Sequence, residues 1–205
     1  MSALRKAALL DKDGTLIEDV PYNVDPGLIR LSPGVGPALR ALDGAGFALV
    51  VVTNQSGVAR GLFPESALTG VEARLRELLA GEGVVLAGFY HCPHHPDGTV
   101  PEYARECECR KPGPGMLRQA AQELGLDLTR SWMVGDILND VEAGNRAGCR
   151  TVLLDNGGET EWVPGPHRTP DFTARNWDEV VGFILPKALN SSPLQPQESR
   201  QAEVL

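Results

Sequence analysis

Two groups of residues in this chain have the types and spacing to do chemistry. Asp11 and Asp13 stand two apart, directly after the apolar run Ala7-Ala8-Leu9-Leu10, and Gly14 lets the chain turn away. In a strand, residues two apart share a face, so the pair is expected to bring two carboxylates together at a strand end. Such carboxylates repel unless a cation or a shared proton holds them. One can act as a nucleophile, giving an acyl phosphate, while its neighbour moves the leaving-group proton. An ordinary acidic turn is the competing reading. The second group is Cys92-Pro93-His94, followed after twelve residues by Cys107-Glu108-Cys109. Three thiols and an imidazole at paired short spacings fit a closed tetrahedral zinc site, with His91 and His95 as competing ligands. The intervening loop, residues 95–106, has little to bury, and a metal can hold such a loop where no core can.

Three further positions complete the list. Thr53-Asn54-Gln55-Ser56-Gly57 leaves an apolar run and suits phosphate oxygens through a hydroxyl and backbone N–H groups. Arg110 and Lys111 follow the cysteine loop at once. A Lys there can neutralise a nucleophilic carboxylate and phosphoryl oxygens, and an Arg can fork onto a second anion. Asp136, at the end of Trp132-Met133-Val134-Gly135, is placed for Mg²⁺. Asp140 reads equally well as a helix cap or as support behind the metal.

The elements that must position these groups alternate along the chain. Short bounded apolar runs at 7–10, 47–52, 84–90, 132–136 and 151–154, with another near Phe172, read as strands. Helices are expected over about 32–45, 64–80, 114–124, 139–148 and 177–185, and a loop or flap over 17–26. This β/α alternation implies a doubly wound α/β domain with a mostly parallel sheet. The domain is expected to span residues 1–187, with a disordered tail over 188–205, where Ser, Pro, Gln and Glu dominate. A chain of 205 residues supports a real core, and a net charge of −8 argues against nucleic acid as a partner. The N-terminus leaves no room for a signal peptide, and no run approaches a membrane span. A cytoplasmic monomer is expected, with Cys149 a small buried apolar residue.

Asp11-x-Asp13-Gly14-Thr15, Thr53, Lys111 and Asp136 stand in the order of the four signatures of the haloacid dehalogenase-like phosphatases, which this chain resembles. The segments Tyr22-x-x-Asp25-Pro26, 53–61, 92–96 and 107–116 extend the resemblance to the heptose bisphosphate phosphatases within that family. Histidinol-phosphate phosphatases are the runner-up, with a shorter cysteine loop. The resemblance implies a fold with no large cap domain, Asp11 as nucleophile and Asp13 as acid and base. It implies Mg²⁺ on Asp11, Asp136 and the Asp13 main-chain carbonyl, and a structural zinc on Cys92, His94, Cys107 and Cys109. Thr53, Asn54, Gln55, Arg60, Arg110 and Lys111 would contact a small phosphorylated sugar, with Arg110 on a second phosphate. Relatives often carry Lys where this chain has Ile137. A catalytically dead fold serving as an interaction module is the remote alternative.

Overall fold

The computed structural model describes residues 4–185. Its strands are β1 (Ala7–Leu10), β2 (Ala48–Asn54), β3 (Gly88–Cys92), β4 (Trp132–Gly135), β5 (Arg150–Leu154) and β6 (Phe172–Ala174). Its α-helices are α1 (Val35–Gly44), α2 (Leu68–Gly81), α3 (Gly115–Leu124), α4 (Leu138–Ala147) and α5 (Trp177–Ile184). The six strands form one sheet in the order β3-β2-β1-β4-β5-β6, and every pairing is parallel. The doubly wound α/β expectation is met.

Period-two alternation within buried strands explains the two faces. Ala8, Leu10, Leu49, Val51 and Val134 turn one way and pack with Leu39 and Leu42 of α1, Val71, Leu75 and Leu79 of α2, and Trp177 and Val180 of α5. Ala7, Leu9, Val50, Val52 and Met133 turn the other way, onto Met116, Leu117 and Ala120 of α3 and Ala143 of α4. All four residues of β1 are fully buried at the centre of the sheet. The strand order runs outward in opposite senses from β1 and β4, and in open parallel sheets the crevice at that switch point is where ligands bind. Asp11 and Asp136 both emerge there.

Several boundaries differ from expectation. The run 84–90 is not one strand: Val84 and Leu86 are buried at 1% and 5% while Val85 is 77% exposed, yet pairing to β2 begins only at Gly88. Apolar alternation reports burial, and this segment reaches the core before it reaches the ladder. β3 therefore extends to Cys92, which puts the first sulfur on a strand. The 32–45 helix begins at Val35, because Gly34 takes a left-handed φ of 84° that a helix interior excludes. Residues 65–67 form a 3₁₀ turn ahead of α2. The 187/188 boundary and the tail lie outside the described residues.

Candidate active site and metal centres

The oxygen centre begins with the turn after β1. Asp11 N–H donates to Val134 O at 2.9 Å, which carries the residue past the end of β1 beside β4. The chain then folds back, with Leu16 and Ile17 N–H both donating to Lys12 O at 3.0 Å. Gly14 has a φ of 74°, and a Cβ there would sit 2.2 Å from Asp136 Oδ2. Only glycine serves at that point, for conformation and for space. Thr15 Oγ1 donates to Asp136 Oδ1 at 3.2 Å. Asp140, in the first turn of α4, joins Asp11 and Asp136 so that one carboxylate oxygen from each lies within 4.8 Å of the others.

All three carboxylates are buried, and one cation lies among them. Lys111 donates to Asp11 and to Val52 O at 2.9 Å, and its Nζ lies 2.6 Å from Asp140 Oδ1. Burial pushes Asp11 well above the usual carboxylate range, against the pull of Lys111 and with the push of Asp140 and Asp136. Burial, then the charge of Asp140, raises Asp136 to about 7. For Lys111 burial favours the neutral amine, but Asp11 and Asp140 together hold it above the ordinary lysine value. Three buried acids against one ammonium leave a surplus of negative charge, and hard oxygen donors of this kind suit Mg²⁺.

Asp13 does not join that cluster. β1 ends at Leu10, so the strand alternation that would place Asp11 and Asp13 side by side does not extend to them. The Asp13 side chain, about a third exposed at 34%, is instead held on both oxygens. Lys12 Nζ meets Oδ1 at 2.5 Å and Gln55 Nε2 donates to Oδ2 at 2.9 Å. Lys12 is itself only 1% exposed, a buried ammonium that the Asp-x-Asp pattern treats as a free position. Gln55 Nε2 also lies 2.9 Å from Thr53 Oγ1, so one amide orients both groups. Asn54 donates to Lys111 O and accepts from Lys111 N–H, both at 3.0 Å, clamping the Lys111 backbone to β2. Asp140 also caps the start of α4, since Oδ2 accepts Ile137 N–H at 3.3 Å.

The sulfur centre lies beyond β3. Cys92, His94, Cys107 and Cys109 converge, with Sγ–Sγ distances of 3.1–3.4 Å and His94 Nδ1 3.4 and 3.6 Å from Cys109 and Cys92. Zn–S bonds of about 2.3 Å imply tetrahedral edges of roughly 3.7 Å, so the donor set and its size fit Zn²⁺. The competing imidazoles are engaged elsewhere: His91 with Glu65 at 2.9 Å, His95 with Arg60 and with the Asp97 N–H. Burial pushes the Cys92 thiol up, and the neighbouring thiols add to it. Cys149 stands apart, buried and pushed up to about 12.

Between the centres, Arg110 is partly buried and reaches the His94 carbonyl at 3.4 Å. Burial, with the charge of Arg60 as a smaller factor, holds its guanidinium below the usual arginine value. Arg60 Nε is buried with no partner among the described residues, and its NH2 lies 3.2 Å from His95 Nε2. His95 Nδ1 accepts the Asp97 N–H at 3.1 Å, which in the neutral imidazole leaves the ring N–H at Nε2, on the side of Arg60.

Comparison with known proteins agrees with this geometry. A HAD-hydrolase-like family model matches residues 108–180. The D-glycero-beta-D-manno-heptose-1,7-bisphosphate 7-phosphatase of Yersinia pestis is 46% identical over 185 residues, 90% of this chain and 95% of the relative. A putative HAD-like phosphatase from Mesorhizobium loti superposes with a TM-score of 0.78 at 39% identity, covering 89% of this chain and 87% of that one. The D,D-heptose 1,7-bisphosphate phosphatase of B. bronchiseptica, solved with magnesium and phosphate, gives 0.71 at 33%, covering 89% and 99%.

Proposed function

The chain belongs to the D-glycero-beta-D-manno-heptose-1,7-bisphosphate 7-phosphatases of the HAD-like hydrolases, and on that footing we propose that it removes the C7 phosphate of a heptose 1,7-bisphosphate through an aspartyl-phosphate. The observation that carries this reading is the buried Lys111–Asp11 pair at the switch point of the sheet, tethered two residues from a sulfur ligand.

Asp11 attacks phosphorus, and the ester P–O bond breaks. Asp13 delivers a proton to the departing sugar oxygen, then accepts one from the water that hydrolyses the phosphoenzyme. Lys12 and Gln55 fix the rotamer from which Asp13 does both. Lys111 and Thr53 face the transferring phosphoryl oxygens. Asp11, Asp136 and the Asp13 main-chain carbonyl would hold Mg²⁺, which would supply positive charge for the crowded anions of phosphoryl transfer. Arg110, Arg60 and the His95 N–H supply donors for a second phosphate, the one that is not transferred. Zn²⁺ on Cys92, His94, Cys107 and Cys109 is structural, since four protein ligands leave no open position. Asn54 and Gln55 act by orienting Lys111 and Asp13 as well as by any contact with the sugar. No helix among the described residues is long and apolar enough to cross a membrane. A reducing cytoplasm would keep the sulfur ligands as thiolates, and a monomer contains every residue invoked.

The test is kcat/KM compared across both anomers of heptose 1,7-bisphosphate, histidinol phosphate and simple sugar monophosphates. The expected result is a preference for a bisphosphate by at least about tenfold. A preference for histidinol phosphate would move the assignment to the runner-up, and no Mg²⁺-dependent turnover of any of them would leave only the interaction module.

A further inference from the structure

We propose that the segment 156–159, which leaves β5, is a positioning strap that sets the Mg²⁺ affinity of the carboxylate centre, with Glu159 as its principal residue. The proposal rests on the Mg²⁺ site assigned above.

The physical need begins at the start of α4. A helix start exposes amides that a polar N-cap side chain normally satisfies, and here that position is Ile137, which has none. Two carboxylates fill the gap from elsewhere. Asp140 takes Ile137 N–H, and Glu159 Oε2 takes Leu138 N–H at 2.7 Å. Glu159 Oε1 accepts Glu161 N–H at 2.8 Å and Trp162 N–H at 3.3 Å, so the carboxylate is anchored from both sides. All these bonds go to backbone, and negative charge suits a helix N-terminus.

The same segment crosses the metal ligand. Asn156 Nδ2 donates to Gly14 O at 2.6 Å, across 142 residues of sequence, and its Oδ1 accepts Gly158 N–H at 3.2 Å. A Cβ on Gly158 would sit 2.0 Å from Asp136 Oδ2, and one on Gly14 would sit 2.2 Å from the same atom. Asp136 is therefore held between two glycine backbones that Asn156 ties together. Glu159 fastens the far end of the strap to α4, whose first turn carries Asp140 and, through it, contacts Lys111. The strap thus braces two of the three carboxylates from outside the cluster. Partners of this outer kind commonly change metal affinity by about 10- to 100-fold when removed.

The test is calorimetric titration of Mg²⁺ into zinc-retaining protein, with the Mg²⁺ dependence of kcat beside it. The variants are Asp136→Asn, Glu159→Ala, Glu159→Gln and Asn156→Ala. Glu159→Ala is expected to weaken Mg²⁺ binding about tenfold while kcat at saturating Mg²⁺ stays within about twofold. Glu159→Gln keeps an acceptor for Leu138 N–H and should recover part of the loss. Asn156→Ala, at an exposed side chain, should shift the affinity in the same direction and covers the case in which Glu159→Ala fails to fold. An unchanged Mg²⁺ Kd in Glu159→Ala and Asn156→Ala overturns the proposal, as does a lowered kcat at saturation with Kd intact, the signature of a merely structural role. Wild type and Asp136→Asn binding Mg²⁺ alike would instead remove the Mg²⁺ site on which the strap depends.

Discussion

Asp11 and Asp136 leave the ends of β1 and β4, where every neighbouring strand residue is buried and paired. Cys107 and Cys109 sit in a stretch with no helix or strand between the end of β3 at Cys92 and the start of α3 at Gly115. The oxygen centre is thus preorganised by the sheet, and a metal there compensates charge that the fold has already concentrated. In the sulfur centre only Cys92, at the end of β3, has such a frame. Its loop is held by a few backbone bonds, such as Thr99 N–H and Val100 N–H to Ala59 O at 2.7 and 2.9 Å, and by its own ligand set. We propose that one site is made by the fold and that the other, once it holds its metal, helps to make it.

Substitutions separate the two. Asp11→Asn preserves shape and removes charge from a crowded cluster, so the fold should persist with a Tm no lower than wild type. An amide cannot form the phosphoenzyme, and kcat should fall by roughly 10³-fold or more in a steady-state assay. Retention of a tenth of wild-type kcat would break the covalent assignment. Cys107→Ser should act in the opposite pattern, through structure. It loosens the segment that delivers Arg110 and Lys111, and a Tm loss on the order of 5–10 °C with a severalfold fall in kcat/KM is expected by thermal scan and assay.

Arg110 lies at the seam. Arg110→Ala should cost about 1.5–3 kcal/mol on a bisphosphate, roughly 10- to 100-fold in kcat/KM, and much less on a monophosphate. Equal losses on both would assign Arg110 to the transferring group or to the loop alone. The smallest effect is on stability against pH, and its sign differs between the centres. Asp11 and Asp136 are both raised in the folded state, so without Mg²⁺ they stabilise the fold at low pH, and the Asp136 contribution is lost as pH rises through about 7. The Mg²⁺-free protein should therefore lose a few degrees of Tm, about 2–6 °C, between pH 5 and 8, and Mg²⁺ should restore more at pH 8. Zinc retention runs the other way, because thiols must lose protons to bind it. A Tm that rises with pH in the Mg²⁺-free protein would contradict this.

What was legible in the sequence divides along the same line. β1, β2 and β4 are covered on both faces, so they appear as unbroken apolar runs ending in the residues that matter. The cysteine spacing marked the convergence of Cys92, His94, Cys107 and Cys109 although no helix or strand carries the last two. Lys12 left no signal, because a lysine between two aspartates reads as solvated, and only the return of the chain at Leu16 and Ile17 shows that it is buried. Asp140 stayed ambiguous because a first-turn Asp caps a helix whatever lies beyond it. Glu159 and Asn156 were illegible for a simpler reason: their partners, Leu138 and Gly14, lie 21 and 142 residues away. The strand at 84–90 was misplaced because burial and pairing begin at different residues.

The claim that one centre is framed by the sheet and the other by its metal is tested most directly by brief chelation. Activity and elemental metal content are measured on the same samples before exposure to EDTA, after it, and after adding back single metals. Activity should vanish quickly while zinc stays bound, and Mg²⁺ alone should restore it, since hard oxygen sites keep exchangeable waters and a closed thiolate site does not. Activity that returned with Zn²⁺ but not Mg²⁺, or a zinc-free protein of full rate and full Tm, would contradict the account.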